Sequence, residues 1–148
     1  MGVGLIISAV SLLLLLYWFR YSCALILAAK GGRDYASQVT AENNLAFQDI
    51  SRRLAEPSTP ACDLERFNTL LQRDYDIVTA IIDTTARLQA ARESGEQRML
   101  QVFYHFLRAR YAISRGVSVP YSSGALAEIC DVLGYFANVA GEAVYCNR

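Results

Sequence analysis

The single histidine is the most obvious candidate for acid–base chemistry, because an imidazole titrates near neutral pH and can act as a general base. His105 falls in a predicted helix, where the residues three and four positions away are Gln101, Val102, Arg108 and Ala109. None of these is a cysteine, a carboxylate or a second histidine that would complete a catalytic or metal site. The pattern therefore favours a histidine at the edge or surface of a helical domain.

The four cysteines could bind a metal or form disulfides, but Cys23, Cys62, Cys130 and Cys146 include no CxxC pair. Zinc sites usually combine closely spaced ligands, and carboxylate-bridged metal sites in helical bundles use Glu-x-x-His motifs, which this sequence lacks. It also lacks a phosphate-binding loop, a dinucleotide fingerprint and a Gly-x-Ser-x-Gly motif. We therefore expect a protein that is not an enzyme, with no catalytic residue, metal, cofactor or small-molecule substrate.

The overall composition indicates which partners the chain is suited to bind. Its 148 residues contain 14 Lys plus Arg and 14 Asp plus Glu. This balance argues against a nucleic-acid partner, since proteins that bind nucleic acids usually carry a basic excess. Apolar residue types make up 53% of the chain, above the roughly 45–50% of soluble domains. They concentrate at the start, because residues 1–19 contain no charged side chain.

This uncharged segment predicts a transmembrane helix. Nineteen helical residues extend about 28 Å, close to the ~30 Å hydrocarbon core of a bilayer. The segment ends in Tyr17, Trp18, Phe19, Arg20 and Tyr21. Aromatic rings favour the headgroup level, and an adjacent arginine can extend its guanidinium into water. We therefore expect these five residues to lie at a membrane–water interface, and residues 1–30 to form the membrane anchor.

Two further features of the N-terminal segment bear on its fate and orientation. A cleaved signal peptide would begin with basic residues and carry an apolar run of about 7–15 residues, whereas this run is longer and has no basic side chain before it. A retained anchor is therefore the interpretation adopted. Arg20, Lys30 and Arg33 all follow the apolar run. The positive-inside rule then places the N-terminus outside and residues 31–148 in the cytoplasm.

Residues 31–148 show the spacing of amphipathic helices, with apolar residues recurring every three or four positions. We expect helices at about residues 35–56, 63–92, 95–115 and 125–145. Pro57, Pro60 and Pro120 mark the loops between them. The predicted fold class is all-α, with an N-terminal transmembrane helix followed by a four-helix, up-and-down bundle-like domain.

The faces of the predicted helices suggest which residues are buried. In the second helix, Asp74, Asp76 and Asp83 are interpreted as part of a solvated face. In the third helix, the residues expected to face the core are Met99, Val102, Phe103, Phe106 and Ala112.

The aromatic residues suggest where a partner could bind. Nine Tyr and six Phe occur in the chain, many of them late in the sequence. A small bundle has room for only some of these rings, and exposed tyrosines are enriched at protein interfaces. We expect a partner interface on the third and last helices that includes Tyr104, Tyr111, Tyr135 and Tyr145.

Four short strings, LYWFRYSC (16–23), RDYDIVT (73–79), EQRML (96–100) and GYFAN (134–138), resemble those of uncharacterised small bacterial proteins that have one membrane span followed by a helical domain. The resemblance covers most of the chain and implies a protein of the bacterial inner membrane. It implies no activity and no catalytic residue.

These observations together predict a single-span accessory or scaffold subunit of a larger bacterial membrane complex, acting through protein–protein contacts. Its expected partners are the lipid bilayer and either other subunits or further copies of itself. Two alternatives stay open. One is a membrane-associated protein that assembles with itself. The other is a periplasmic helical domain held by a Cys62–Cys146 disulfide, since disulfides persist outside the cytoplasm.

Overall fold

The computed structural model describes residues 2–29, 34–57, 60–89 and 95–145, and every regular element among these residues is a helix. The all-α prediction is therefore confirmed. The chain divides into two compact units, residues 1–30 and 31–148. In chain order the helices are α1 (Gly2–Ala28), α2 (Ala36–Asn43), α3 (Phe47–Leu54), α4 (Ala61–Gln89), α5 (Gly95–Ser114) and α6 (Val119–Tyr145).

Helix α1 constitutes the regular structure of the first unit. Its 27 residues extend about 40 Å at 1.5 Å per residue, which exceeds the ~30 Å hydrocarbon core. By length and composition it could cross a membrane, and it is the one helix of the described residues that meets both conditions. A helix that is apolar on all sides leaves no polar face for water, so its sequence suits a lipid environment.

The second unit departs from the predicted four helices at its start, because the helix expected over residues 35–56 is two short helices. The break falls at Asn44, which adopts a left-handed conformation with φ 51° and ψ 48°. Asparagine tolerates this conformation better than most residues, and a left-handed residue ends a helix. The chain then turns into α3, and Leu45 donates its backbone N–H to the carbonyl of Thr40 at 3.1 Å.

Both short helices have their N-termini bound by side chains of long helices. Asn138 Oδ1 of α6 accepts the backbone N–H of Ala36 at 2.8 Å, at the start of α2. Asp74 Oδ2 of α4 accepts the N–H groups of Ala46 and Phe47 at 2.7 Å and 2.8 Å, at the start of α3. Helices of eight residues are marginal alone, and their first N–H groups have no partner within the helix. The start of α3 thus depends on a tertiary acceptor, whereas Ala36 at the start of α2 also donates to the local Asp34 Oδ1 at 3.1 Å.

Helix α6 is the element around which the second unit is built, since α2, α3, α4 and α5 all pack against it. Residues on several of its sides are fully buried, including Leu126, Val132, Leu133 and Ala137. The helix begins six residues before the predicted start at 125. Pro120 lies in its first turn, where the missing N–H would have had no partner. The expected four-helix, up-and-down detail is not confirmed, because two short and three long helices form this unit within the described residues.

A glycine permits the close approach of α2 to α6. A Cβ added at Gly141 would collide with Tyr35 Cβ and lie 3.2 Å from Val39 Cγ2. One turn further along α6, the ring of Tyr145 stacks on that of Tyr35 with centroids 5.9 Å apart. The absence of a side chain at position 141 thus allows the start of α2 to lie directly on the last turns of α6.

Candidate functional site

The predicted membrane-interface residues form a continuous segment in the later part of α1. Tyr17, Trp18, Arg20 and Tyr21 are exposed in the folded chain, and Phe19 is half-buried. Five consecutive residues at 100° each surround the helix axis completely. The segment therefore forms a band around α1 and not a stripe along one side. A band is the arrangement that a membrane–water interface selects, although its position at an interface stays a prediction.

Helix α5 carries apolar residues on two sides. Its inner face packs into the core, and the buried residues are Leu100, Phe103, Tyr104, Leu107 and Tyr111. The other side we call the outer stripe, which consists of Met99, Val102, Phe106, Ala109 and Ile113. Val102 is 59% exposed and Ile113 is 74% exposed. The prediction that Val102, Phe106 and Ala112 face the core is wrong, because the helix buries the neighbouring face instead.

Two of the four tyrosines predicted at a partner interface are in the core. Tyr104 and Tyr111 are both buried. The ring of Tyr104 stacks on Tyr75 of α4, with centroids 3.7 Å apart and planes nearly parallel. Burial raises the pKa of Tyr104 to about 12. Because this ring is covered by the protein itself, it presents no surface to a partner.

The other two tyrosines are half-buried and have contacts within the chain. Tyr135 donates its hydroxyl to Glu96 Oε2 at 3.3 Å, which links α6 to the first turn of α5. Tyr145 stacks on Tyr35, as described above. A partner role for Tyr135 and Tyr145 stays a prediction.

A second exposed apolar surface lies where α5 turns into α6. We call it the turn patch, and it consists of Val117, Val119 and Tyr121. Val117 is 79% exposed and Tyr121 is 69% exposed. The predicted partner interface requires an exposed aromatic ring, and Tyr121 is the tyrosine of this region that provides one. The composition could not distinguish it from the buried tyrosines.

Arginines in α5 and just after it contact the neighbouring helices. Arg110 forms a half-buried ion pair with Glu128 of α6 at 3.0 Å. Arg108 donates to Gln72 of α4 at 2.9 Å, and Arg115 pairs with Glu65 of α4 at 3.2 Å. These polar contacts accompany the burial of the inner face of α5.

The groups that could do chemistry are dispersed. His105 is exposed, and its ring lies 5.5 Å from that of Tyr104 in an edge contact. Burial raises the pKa of the Cys130 thiol to about 12, so this thiol stays protonated. Cys62 is an exposed free thiol, and Cys146 lies outside the described residues. Among those residues, no three His, Cys, Asp or Glu side chains converge as metal ligands would.

Helix α4 also borders a shallow groove of about 430 Å³. Its lining residues are Ile77, Ala80, Ile81, Thr84 and Thr85. All five come from one helix, so among the described residues no second element brings a polar group into the groove. Small-molecule sites usually surround the ligand and combine apolar walls with a few convergent polar groups. The groove therefore resembles a surface for contact more than a binding pocket.

The prediction for Asp74 is also wrong. It was expected on a solvated face, but it is 1% exposed and bonds the start of α3. The spacing in the sequence did indicate that Asp74 is buried, since Leu71, Asp74 and Val78 recur at intervals of three and four, as buried positions do.

Comparisons with family models, with curated proteins and with solved structures found no match to this chain.

Proposed function

We propose that this protein is a non-catalytic accessory or scaffold subunit of a larger bacterial membrane complex. Helix α1 anchors it in the inner membrane as a single span, with the N-terminus outside and residues 31–148 in the cytoplasm. The soluble unit then acts by binding neighbouring subunits. The length and apolar character of α1 support the anchoring, and the basic residues after the apolar run support the orientation.

The observation that carries the binding role is the turn patch. Val117, Val119 and Tyr121 are each exposed, and they lie within five residues of one another between the end of α5 and the first turn of α6. Isolated apolar residues on a surface are ordinary, whereas adjacent ones that include an aromatic ring are typical of interfaces. The exposure of these three apolar side chains supports a partner that covers them.

Anchoring and binding reinforce one another. A subunit held in the same membrane as its partner meets it at a high effective concentration, so a small contact surface is sufficient. This explains how a patch of three residues could support a stable assembly. The lipid bilayer and other membrane subunits are therefore the proposed partners.

The proposal is tested by purifying the tagged full chain from native membranes in a mild detergent and quantifying its companions by mass spectrometry. The double substitution Val117→Ser and Tyr121→Ser should reduce the recovered companions about tenfold, as loss of a central interface residue does. The control Val144→Ser, at the other end of α6, should recover the wild-type set. Purification of the wild-type chain without stoichiometric companions would contradict the proposal.

Self-assembly is a second candidate function, and a separate observation favours it. The outer stripe of α5 is exposed along most of the helix. An apolar surface of this kind could be covered by a second copy of the chain.

A further inference from the structure

Helix α4 has a solvent-facing side that combines two arginines with aliphatic residues. We call it the α4 face, and it consists of Arg66, Leu70, Arg73, Ile77, Ala80, Ile81 and Thr84. At 100° per residue, these positions fall within about 100° of the helix circumference. Both arginines, the alanine and the threonine are exposed, and the three larger aliphatic side chains are half-buried. The α4 face is therefore distinct from the adjoining core face of the helix, where Phe67, Leu71 and Val78 are buried.

Two threonines make the second half of this side of α4 more apolar than the residue types suggest. Thr84 donates its hydroxyl to the carbonyl of Ala80 at 2.7 Å, and Thr85 donates its hydroxyl to that of Ile81 at 2.8 Å. Both hydroxyls are thus bonded to the backbone of their own helix, as is usual for threonine inside a helix. Their methyl groups line the shallow groove that Ile77 and Ile81 also border. An occupant of the groove therefore makes apolar contacts and leaves no threonine hydroxyl without a partner.

The charges of α4 are separated around the helix axis. Arg66 and Arg73 lie about 20° and 40° from Ile77. The exposed carboxylates of Asp76 and Asp83 lie about 100° and 120° from Ile77, outside the α4 face. The α4 face thus presents two positive charges and no carboxylate, which complements an anionic surface.

We propose that the α4 face docks on the anionic headgroup surface of the membrane in which α1 is anchored. The inference rests on the proposed anchoring. The two guanidinium groups bind lipid phosphates, and the aliphatic side chains beside them enter the headgroup region to a shallow depth. The centres of protein interfaces are enriched in tyrosine and tryptophan, and the α4 face contains neither. Its composition therefore favours a lipid surface over a protein partner.

The anchor makes a weak contact sufficient. One arginine near an anionic leaflet strengthens binding about fivefold, so two arginines alone would not hold a soluble protein at a membrane. A chain that is anchored by α1 is already confined to the surface, and this confinement raises the effective concentration of the lipid headgroups. Docking then has only to orient the soluble unit. We expect this orientation on anionic lipid and its loss on neutral lipid.

Fluorescence quenching by lipids tests the contact. The full chain with Ala80→Cys, in a Cys62→Ser and Cys146→Ser background, is labelled with a fluorophore and placed in nanodiscs whose lipids carry a quencher in the headgroup. The two buried cysteines are shielded from the label. We expect strong quenching in an equal mixture of phosphatidylglycerol and phosphatidylcholine. Quenching should be at least about fivefold weaker in phosphatidylcholine alone or at high salt, which screens the charges. The matched control is Ala112→Cys, an exposed position on α5, which should be quenched weakly in all discs.

Substitution of single arginines tests the charge argument. Arg66→Gln and Arg73→Gln should each lower the ratio of docked to undocked chains about fivefold. Arg87→Gln removes the same charge from α4 outside the α4 face, one helical turn after Asp83, and should leave the ratio unchanged. Because all three arginines are exposed, the fold should survive, which circular dichroism verifies.

Three results would overturn the inference. The first is a fluorophore at position 80 that stays unquenched in the anionic discs, and the second is an equal loss for all three arginine variants. The third is shielding of position 80 in native membranes but not in lipid discs, which would assign the α4 face to a protein partner. In each case a chain that still elutes with the discs leaves the proposed anchoring intact. A chain that does not elute with the discs would contradict the anchoring, and the inference with it. The companions recovered through the turn patch test the proposed binding role separately.

Discussion

Asp74 on α4 accepts the backbone N–H of Phe47 on α3 at 2.8 Å, and the same carboxylate oxygen accepts the N–H of Ala46 at 2.7 Å. The residues lie 27 and 28 positions apart in the chain. The carboxylate thus supplies across the fold the cap that α3 lacks locally, where Ala46 at the N-cap has no side-chain oxygen. This side chain therefore ties the start of α3 to α4, beside the apolar contacts of Phe47 and Ile50.

We expect Asp74→Ala to destabilise the soluble unit by about 2–4 kcal/mol, because two N–H groups lose a charged acceptor in a largely buried site. Asp74→Asn keeps one carbonyl oxygen and should cost less. Urea titration of the full chain in nanodiscs, followed by near-ultraviolet circular dichroism, measures both values. Equal losses for the two variants would show that the acceptor oxygen is not what matters.

The same carboxyl gives the stability a pH dependence. Burial raises the pKa of Asp74, although the two backbone hydrogen bonds and Arg73 act in the opposite direction. A carboxyl whose pKa is raised on folding holds its proton more tightly in the folded state. The stabilisation that comes from this tighter proton binding is fully present below the unfolded pKa of about 3.9 and is lost as the pH rises through the folded pKa. As the pH rises between these two values, the free energy of unfolding of the wild-type chain should fall relative to that of Asp74→Asn. A rise over the same pH range would contradict the raised pKa.

Gly141 and Gly124 form a matched pair of glycines within α6. A Cβ at position 141 would collide with Tyr35, whereas a Cβ at position 124 would lie 3.7 Å from Arg110 Nη2, an ordinary contact. We expect Gly141→Ala to cost about 1–3 kcal/mol through overpacking. Gly124→Ala should gain up to about 1 kcal/mol, since alanine favours a helix interior. Thermal unfolding of the two variants measures the difference, and a neutral Gly141→Ala would contradict the close approach of α2.

The sequence predicted the general plan because helical periodicity and an uncharged segment of spanning length are local signals. It could not predict features that depend on which helices meet. The break at Asn44 needed a tertiary acceptor for the new helix start, and that acceptor was Asp74. The position of Asp74 in a buried spacing was visible, but a charge at such a position is usually solvated. Proline at 120 indicated a loop, although it lies in a first helical turn.

The partner site was predictable only in part for a similar reason. Helix α5 has two apolar faces, and periodicity alone cannot say which of them the remaining helices cover. The tyrosines were selected by type, but exposure decides their role. Tyr104 is covered by Tyr75, whereas Tyr121 is exposed in the first turn of α6.

The two faces of α5 are distinguished by substitutions of similar size. Leu107 is fully buried on the inner face and Val102 is exposed on the outer stripe. Leu107→Ala should cost about 2–5 kcal/mol, because it leaves a cavity. Val102→Ala should change the stability of the monomer by less than about 0.5 kcal/mol. Chemical denaturation in detergent, where monomers are expected, gives both values. A loss of stability that is larger for Val102→Ala than for Leu107→Ala would show that Val102 faces the core, as the sequence predicted.

The proposed orientation in the membrane is tested with the exposed thiol of Cys62. In a Cys146→Ser background, a membrane-impermeant maleimide added to intact cells should leave Cys62 unmodified, because a cytoplasmic domain is shielded by the membrane. After permeabilisation the same reagent should label it rapidly, since the side chain is open to solvent, and Cys62→Ser should abolish the signal. Labelling before permeabilisation would place the soluble unit outside the cytoplasm, where a disulfide to Cys146 becomes chemically reasonable. Loss of residues 1–29 from the mature chain would identify the apolar segment as a cleaved signal, and the proposed anchoring would then be wrong.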